Sequence, residues 1–98
     1  MSHTTTTDGK HHYFDTTGSI SGRVEIVGLY WVSDQASTKD IAAADDWLIS
    51  DAAGNRFIGK KATVAGDDFG ENWSASPRVL EGFTITTMDG GVCYLHLK

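Results

Sequence analysis

Residues 19–32 form the longest strand-like segment of this chain, and their pattern restricts the fold more than any other. The segment is rich in β-branched and aromatic residues, which favour an extended backbone. In its second half, apolar side chains fall on both faces, so this half should be covered on both sides. Gly22 and Gly28 interrupt the segment, and glycines within strands often mark bulges. We therefore predict that the segment bends at these glycines and passes from one sheet to another.

Two pairs of shorter strand-like segments are predicted to form hairpins. Residues 46–50 and 56–64 flank the loop Asp51-Ala52-Ala53-Gly54-Asn55, in which an aspartate that can bond its own backbone precedes a glycine suited to positive φ. Residues 79–87 and 92–97 flank a second turn that contains glycine. With the long segment, these pairs indicate about six strands whose connections are too short for helical crossovers. The predicted fold is all-β, a small antiparallel β-sandwich or barrel.

The connections between the predicted strands should contain little helix. Residues 37–44 are compatible with one helical turn, with Ser37 as its N-cap and Asp40 at the third helical position. Such a turn is too short to be stable alone. Residues 65–78 are expected to be irregular, because they contain two glycines and the only proline of the chain.

Residues 1–18 differ in composition from the rest of the chain. The part up to Lys10 is polar and rich in threonine, and it carries too little apolar surface to order itself. Tyr13 and Phe14 then add a short aromatic anchor. We therefore predict an extended polar N-terminal arm at residues 1–18 and a β-sandwich domain at residues 19–98, with the arm held by another chain or another copy.

Size and charge narrow the classes of partner. A chain of 98 residues has room for one domain. The formal net charge is −5 and the eight Lys and Arg residues are scattered, which argues against nucleic acid as a partner. No apolar run approaches the roughly 20 residues of a membrane-spanning helix, so no membrane partner is expected. Cys93 is the only cysteine, and its apolar strand-like surroundings predict a buried, inert thiol.

Residue types that carry chemistry are present, but their spacing does not predict catalysis or metal binding. The four histidines lack a further ligand at the spacing of a metal site. The acidic clusters at residues 45–46 and 67–71 match neither a calcium loop nor a supported pair of glycosidase carboxylates. We expect no enzymatic activity, no cofactor and no metal.

The aromatic residues are the strongest functional signal in the sequence. Trp31 and Trp47 lie in predicted strands, where core packing is their expected role. Trp73 lies in the irregular segment, so it either tucks beneath its own loop or sits at an interface. Tyr13, Phe14 and Trp73 are therefore the candidate partner-binding residues. Exposed Trp73 and Trp47 would instead favour a carbohydrate-binding module, in which aromatic rings stack on sugars.

Three features together resemble a known class of protein: a small β domain with a polar N-terminal arm, the hairpin at residues 46–55, and the closing pair at residues 82–85 and 89–95. In style, residues 19–98 are similar to small virion proteins of tailed bacteriophages, which are β-sandwiches or barrels that decorate or cement the capsid or sit in the tail.

The resemblance implies a non-enzymatic structural protein, made in the host cytoplasm and located in the virion. Its expected partner is the major capsid protein or another virion protein. The chain would then act as a homo-oligomer or in many copies in an assembly. The alternatives are a tail or adhesion component of the virion, or a carbohydrate-binding β-sandwich module.

Overall fold

The structure, a computed structural model, describes residues 3–33 and 40–98. This part of the chain consists of strands and connections without a helix, so it contains no helix long and apolar enough to cross a membrane. The all-β prediction is confirmed, with more strands than expected. The eight strands are β1 (His3–Thr5), β2 (His11–Phe14), β3 (Gly18–Val32), β4 (Asp46–Ser50), β5 (Arg56–Lys61), β6 (Phe69–Asn72), β7 (Arg78–Met88) and β8 (Val92–Leu97).

The strands form one continuous antiparallel sheet in which β3 is shared between two halves. The order is β1-β2-β8-β3-β7-β4-β5, and β6 pairs with β3 outside this path. Residues 18–26 of β3 pair with β7, whereas residues 26–32 pair with β8. Residues 28–31 also pair with β6, which must therefore lie on the opposite edge of β3 from β8. We call β1, β2, β8, β6 and residues 26–32 the first half, and β7, β4, β5 and residues 18–26 the second half.

The bends that separate the two halves lie at the predicted glycines. The pairing register of β3 shifts between Ile20 and Arg23, on either side of Gly22, whose φ is 86°. It shifts again between Ile26 and Gly28. The second shift changes which side chains face the core: the buried positions are even-numbered before it and mainly odd-numbered after it. A bulge inserts one unpaired residue, and this is what reverses the alternation.

The two halves pack face to face through aromatic side chains. The ring centroids of Phe14 in β2 and Phe83 in β7 are 5.9 Å apart, and the indoles of Trp31 in β3 and Trp47 in β4 stack at 5.6 Å with an interplanar angle of 5°. Neither pair comes from neighbouring strands, so both contacts bridge the halves. All four side chains are buried, which confirms the predicted core role of Trp31 and Trp47. The result is a β-sandwich with one core.

The predicted extended N-terminal arm is not confirmed. Residues 3–14 form β1 and β2, which continue the sheet beyond β8. Phe14 is fully buried, and the ring of His12 is held on both sides: Nε2 donates to the carbonyl of Gly9 and Nδ1 accepts from the hydroxyl of Thr5, each at 3.1 Å. Low apolar content suggested disorder, but threonine suits a strand and Phe14 supplies the buried surface. These residues therefore belong to the sandwich.

The predicted pairing of the second hairpin is wrong, although both of its strands exist. β7 and β8 pair with different parts of β3 instead of with each other. The turn between them carries the chain from the second half to the first, and Gly91 adopts a φ of 74° there. The indole N–H of Trp31 fixes this turn by donating to the carbonyl of Gly90 at 2.8 Å. The long β3 provides the better partner for each strand, and a local pattern does not contain that information.

The first predicted hairpin is confirmed with its turn chemistry. β4 and β5 pair antiparallel. The Asp51 carboxylate accepts hydrogen bonds from the backbone N–H groups of Ala53 at 3.0 Å and Asn55 at 2.8 Å, and Gly54 has a φ of 87°. This is the self-bonding aspartate followed by a glycine at positive φ that the sequence indicated.

Two connections differ from the expectation. Residues 65–78 are not wholly irregular, because they include β6. The predicted helical turn at residues 37–44 has its cap, Ser37, outside the described residues. From residue 40 onward the chain has no helix, and the backbone N–H of Asp45 closes a turn by donating to the carbonyl of Ala42 at 3.1 Å.

Candidate functional site

Trp73 lies half-buried at one edge of the sandwich, between β6 of the first half and β5 of the second. Its backbone N–H donates to the carbonyl of Val27 at 2.7 Å. Its ring meets Phe57 edge-on, with the centroids 5.7 Å apart, and the guanidinium of Arg78 lies 5.7 Å from its centroid. We call Phe57, Trp73 and Arg78 the Trp73 patch. The ring of Trp73 packs against the core and is partly exposed, and its role at an interface stays a prediction.

The loop after Trp73 is held by its own hydrogen bonds. The carbonyl of Trp73 accepts from the backbone N–H of Ser76 at 3.0 Å, and the side-chain oxygen of Asn72 accepts from the N–H of Ser74 at 3.0 Å. These bonds fix the backbone on both sides of Trp73, and the indole has its ring contacts in addition.

All three tyrosines of the chain lie on the outer face of the first half. The strand register places them in one row, because Tyr13 of β2 pairs with Tyr94 of β8 and Tyr94 pairs with Tyr30 of β3. The ring centroids of Tyr13 and Tyr94 are 5.2 Å apart. Tyr94 is 39% exposed, and Tyr13 and Tyr30 are half-buried. The row ends at Thr4 of β1, which pairs with Tyr13.

A pair of histidines lies beside this row on the same face. His11 and His96 are register partners, and their rings meet edge-on at 4.7 Å. The ring of Tyr30 lies 5.4 Å from that of His96, so the histidines and tyrosines form one aromatic surface. Partial burial lowers the pKa of His96, and the nearby His11 lowers it further. His96 is therefore neutral at neutral pH, where its ring both donates and accepts a hydrogen bond.

Two glycines make room for the Tyr30 ring against the sheet. A Cβ atom at Gly28 or at Gly70 would lie 3.0 Å from that ring, which is closer than van der Waals contact. Tyr30 therefore lies along the backbone of β3 and β6 and does not stand upright. One side of its ring packs on these glycines, and its edge meets His96.

A groove of about 390 Å³ crosses β4 and β5 on the other half, and its charged groups are largely paired. Lys61 lies 3.5 Å from Asp46, and Lys60 lies 3.2 Å from Asp67. The backbone N–H of Thr63 also donates to Asp67, and this bond together with the Lys60 contact lowers the pKa of the Asp67 carboxyl. Within residues 3–33 and 40–98, no three His, Cys, Asp or Glu side chains come together as metal ligands would.

A second groove, of about 260 Å³, runs along β1, β2 and β8. None of its lining residues is Asp, Glu, Lys or Arg. We call the outer surface formed by these residues and Tyr30 the tyrosine face. The lining residues are Thr4, Thr5, Thr6, His11, His12, Tyr13, Tyr94 and His96.

The predicted site residues separate into different environments. Tyr13 lies on the tyrosine face and Trp73 in the Trp73 patch. Phe14 is fully buried in the core, so it is not accessible to a partner. Trp47, considered as a sugar-stacking residue, is buried as well. The sequence pattern does not predict β2, and therefore gives no indication that Tyr13 pairs with Tyr94.

Cys93 is fully buried, as the sequence predicts. Burial raises its pKa to about 12. The indole N–H of Trp47 is buried without a well-formed hydrogen bond, and its weak interaction with the Cys93 sulfur opposes the effect of burial only slightly.

We expect the folded protein to leave a thiol reagent such as Ellman's reagent unreacted at about pH 8, because the thiolate is the reactive species. The same reagent should react with one thiol per chain in denaturant. Since the folded pKa is raised, stability should fall as the pH rises above the value of an exposed thiol, about 8.5. Rapid labelling of the folded chain would contradict the buried placement. A Cys93→Ala variant, which has no thiol, is the negative control for the labelling reaction.

No protein family, curated protein or solved structure in the comparisons matches this chain. The two surfaces described above are therefore the observations that bear on its function.

Proposed function

We propose that this chain is a non-enzymatic structural protein of a bacteriophage virion, decorating or cementing the capsid shell through contacts with the major capsid protein or another virion protein. The resemblance of residues 19–98 to such proteins supports the proposal, and so does a β-sandwich with a single core. The observation that carries it is the Trp73 patch, which supplies a surface suited to a protein partner.

The composition of the Trp73 patch fits a protein contact. Tryptophan and arginine are among the residues that contribute most to binding energy at protein interfaces. Arg78 is exposed and lies 5.7 Å from the centroid of an indole that also packs edge-on against Phe57. Side chains held in place before binding lose less conformational entropy when a partner docks. The Trp73 patch is thus a preorganised anchor.

Many copies on a symmetric shell would suit a small contact of this kind. Repeated shell sites present the same surface many times, and each copy needs only a modest interface. The chain would then be found as a homo-oligomer or as many copies in the assembly, with no cofactor and no nucleic acid in the contact.

The proposal is tested with purified tailed-phage shells that lack the chain, mixed with recombinant protein and sedimented. The wild-type protein should sediment with the shells. A W73A/R78A double variant should sediment at least tenfold less, because two anchor side chains are lost. V64A is the matched control, since it truncates an apolar side chain that is 61% exposed elsewhere. Equal sedimentation of all three proteins, or of none, would contradict the proposal.

A tail or adhesion location is the alternative within the same class of protein. The physical contact would be the same, and only its position on the particle would differ. Gold-labelled antibody against the chain distinguishes the two: label over the shell supports decoration, and label confined to the tail supports the alternative.

A further inference from the structure

We propose that the tyrosine face binds a neutral carbohydrate, with the apolar face of a hexose ring stacked on the exposed Tyr94, its edge towards Tyr13, and its hydroxyl groups bonded by the flanking histidines and threonines. This inference goes beyond the shell contact and does not depend on it, because the tyrosine face and the Trp73 patch involve different residues.

The arrangement of the rings is the first argument. Tyr13 and Tyr94 lie on neighbouring strands with centroids 5.2 Å apart and ring planes inclined by 58°, so together they form an angled platform that is wider than one ring. Tyrosine combines a broad apolar ring with a polar hydroxyl at its edge. A hexose has the complementary pattern, since C–H groups cover a face of the ring and hydroxyl groups surround it. Stacking on a platform of this kind removes apolar surface of both partners from water.

The polar groups around the platform are the second argument. The rings of His11 and His96 lie at one side of the row, and Thr4 lies at its end. The neutral ring of His96 and the hydroxyl of Thr4 can each donate and accept hydrogen bonds, which matches the dual capacity of a sugar hydroxyl. A site with aromatic walls and a few polar groups is the usual composition of a small-molecule site.

The absence of charged side chains from the lining is the third argument. The groove is lined without Asp, Glu, Lys or Arg, on a chain whose formal net charge is −5. Nucleic acid bases also stack on aromatic rings, but their phosphates require nearby cationic groups. An acidic sugar would find no cation among the lining residues, and the carboxylate of Asp8, which accepts a hydrogen bond from the lining residue Thr6 at 2.6 Å, would repel it. The surface therefore suits an uncharged ligand, because a charged ligand would be bound without a partner of opposite charge.

The size of the surface suits a glycan. Four strands about 4.8 Å apart, with two rows of side chains, give an area on the order of 250 Å². The groove of about 260 Å³ adds a concave site along the row. The tyrosine face therefore accommodates one or two sugar rings.

The test is a titration of the full chain, labelled with ¹⁵N, with maltohexaose and cellohexaose, and with trigalacturonic acid as a charged comparison. We expect at least one neutral oligosaccharide to bind in the millimolar range and to shift the amide signals of residues 11–13 and 94–96. The charged oligosaccharide should bind more weakly. No shift with either neutral oligosaccharide would overturn the proposal, and so would shifts confined to other residues.

Variants assign the binding to the stacking surface. Tyr94→Ala should weaken the affinity about tenfold, because the most exposed ring of the row is lost. Tyr94→Phe should keep most of the affinity, because it keeps the ring. Val79→Ala is the control, since Val79 is 45% exposed on the second half. Unchanged affinity in the Tyr94→Ala variant would contradict stacking at this face, provided that its spectrum shows a folded chain.

The same variants separate this inference from the shell contact. W73A/R78A should bind oligosaccharide normally and fail to sediment with shells, whereas Tyr94→Ala should do the opposite. If shell protein instead protects the amides of residues 94–96 from hydrogen exchange, the tyrosine face is a protein contact and the glycan proposal is wrong.

Discussion

Replacing Phe14 by alanine should cost about 3–5 kcal/mol of unfolding free energy, a large part of the roughly 5–15 kcal/mol available to a small domain. The Phe14 side chain is fully buried, and its ring packs on Phe83 of the opposite half. Truncation therefore leaves a cavity between the two halves of the sandwich. Deleting residues 3–14 should prevent folding altogether, because β2 is also one of the two partner strands of β8.

Urea unfolding followed by tryptophan fluorescence measures the effect of the Phe14 substitution. Tyr13→Ala is the matched control, because it alters the neighbouring residue of the same strand on the outer face, where we expect a loss of about 1 kcal/mol. Equal losses in the two variants would contradict the inward placement of Phe14. A stable folded chain without residues 3–14 would restore the interpretation of this segment as an independent arm.

Gly91→Ala is expected to cost about 2–5 kcal/mol, for two separate reasons. Gly91 has a φ of 74°, which alanine adopts only with strain. A Cβ atom there would also lie 2.6 Å from the Ile41 side chain and 2.9 Å from the carbonyl oxygen of Val32. The carbonyl belongs to the backbone of β3, so it has little freedom to move away.

Gly54→Ala separates the two contributions to the Gly91 effect. Gly54 has a similar φ of 87°, but a Cβ atom there would meet nothing within 4 Å. Only the backbone strain applies, and we expect a loss of about 1–2 kcal/mol. The difference in urea midpoint between the two variants reports the steric part. Equal losses would show that the turn between β7 and β8 relaxes around the added methyl group.

The sequence predicts the strands of this fold better than their partners. Local patterns correctly indicate β3 with its two bends, the β4–β5 hairpin and its Asp51 turn. They fail at β7 and β8, because two adjacent strands joined by a glycine turn have the pattern of a hairpin whether or not they pair. The partner is decided by β3, which is distant in sequence from both strands.

The N-terminal segment shows why composition alone misleads for a short strand. β2 is only His11–Phe14, and Phe14 is its only fully buried side chain. β1 contributes backbone pairing and threonine side chains in place of core packing. Neither strand would be stable as an isolated segment. A stretch of sequence that does not include β8 therefore does not predict that β1 and β2 are ordered.

The candidate binding surfaces were predictable to different extents. Trp73 stood out in the sequence because it was an aromatic residue in an irregular segment. The tyrosine face depends on the register of β2, β8 and β3, which brings together Tyr13, Tyr94 and Tyr30 from three strands that are separated in sequence. Because these tyrosines come from separate strands, no local spacing in the sequence predicts that they form a row.

The position of β8 between β2 and β3 affects the order of events during synthesis. The ribosome releases β1 and β2 first, yet their place in the sheet is created only when β8 has emerged. Until then the Phe14 ring has no strand beside it to complete the first half, and the nascent chain exposes apolar surface that the finished protein hides. Closure of the domain should therefore follow translation of β8, as a late step that joins distant segments and is slow for that reason.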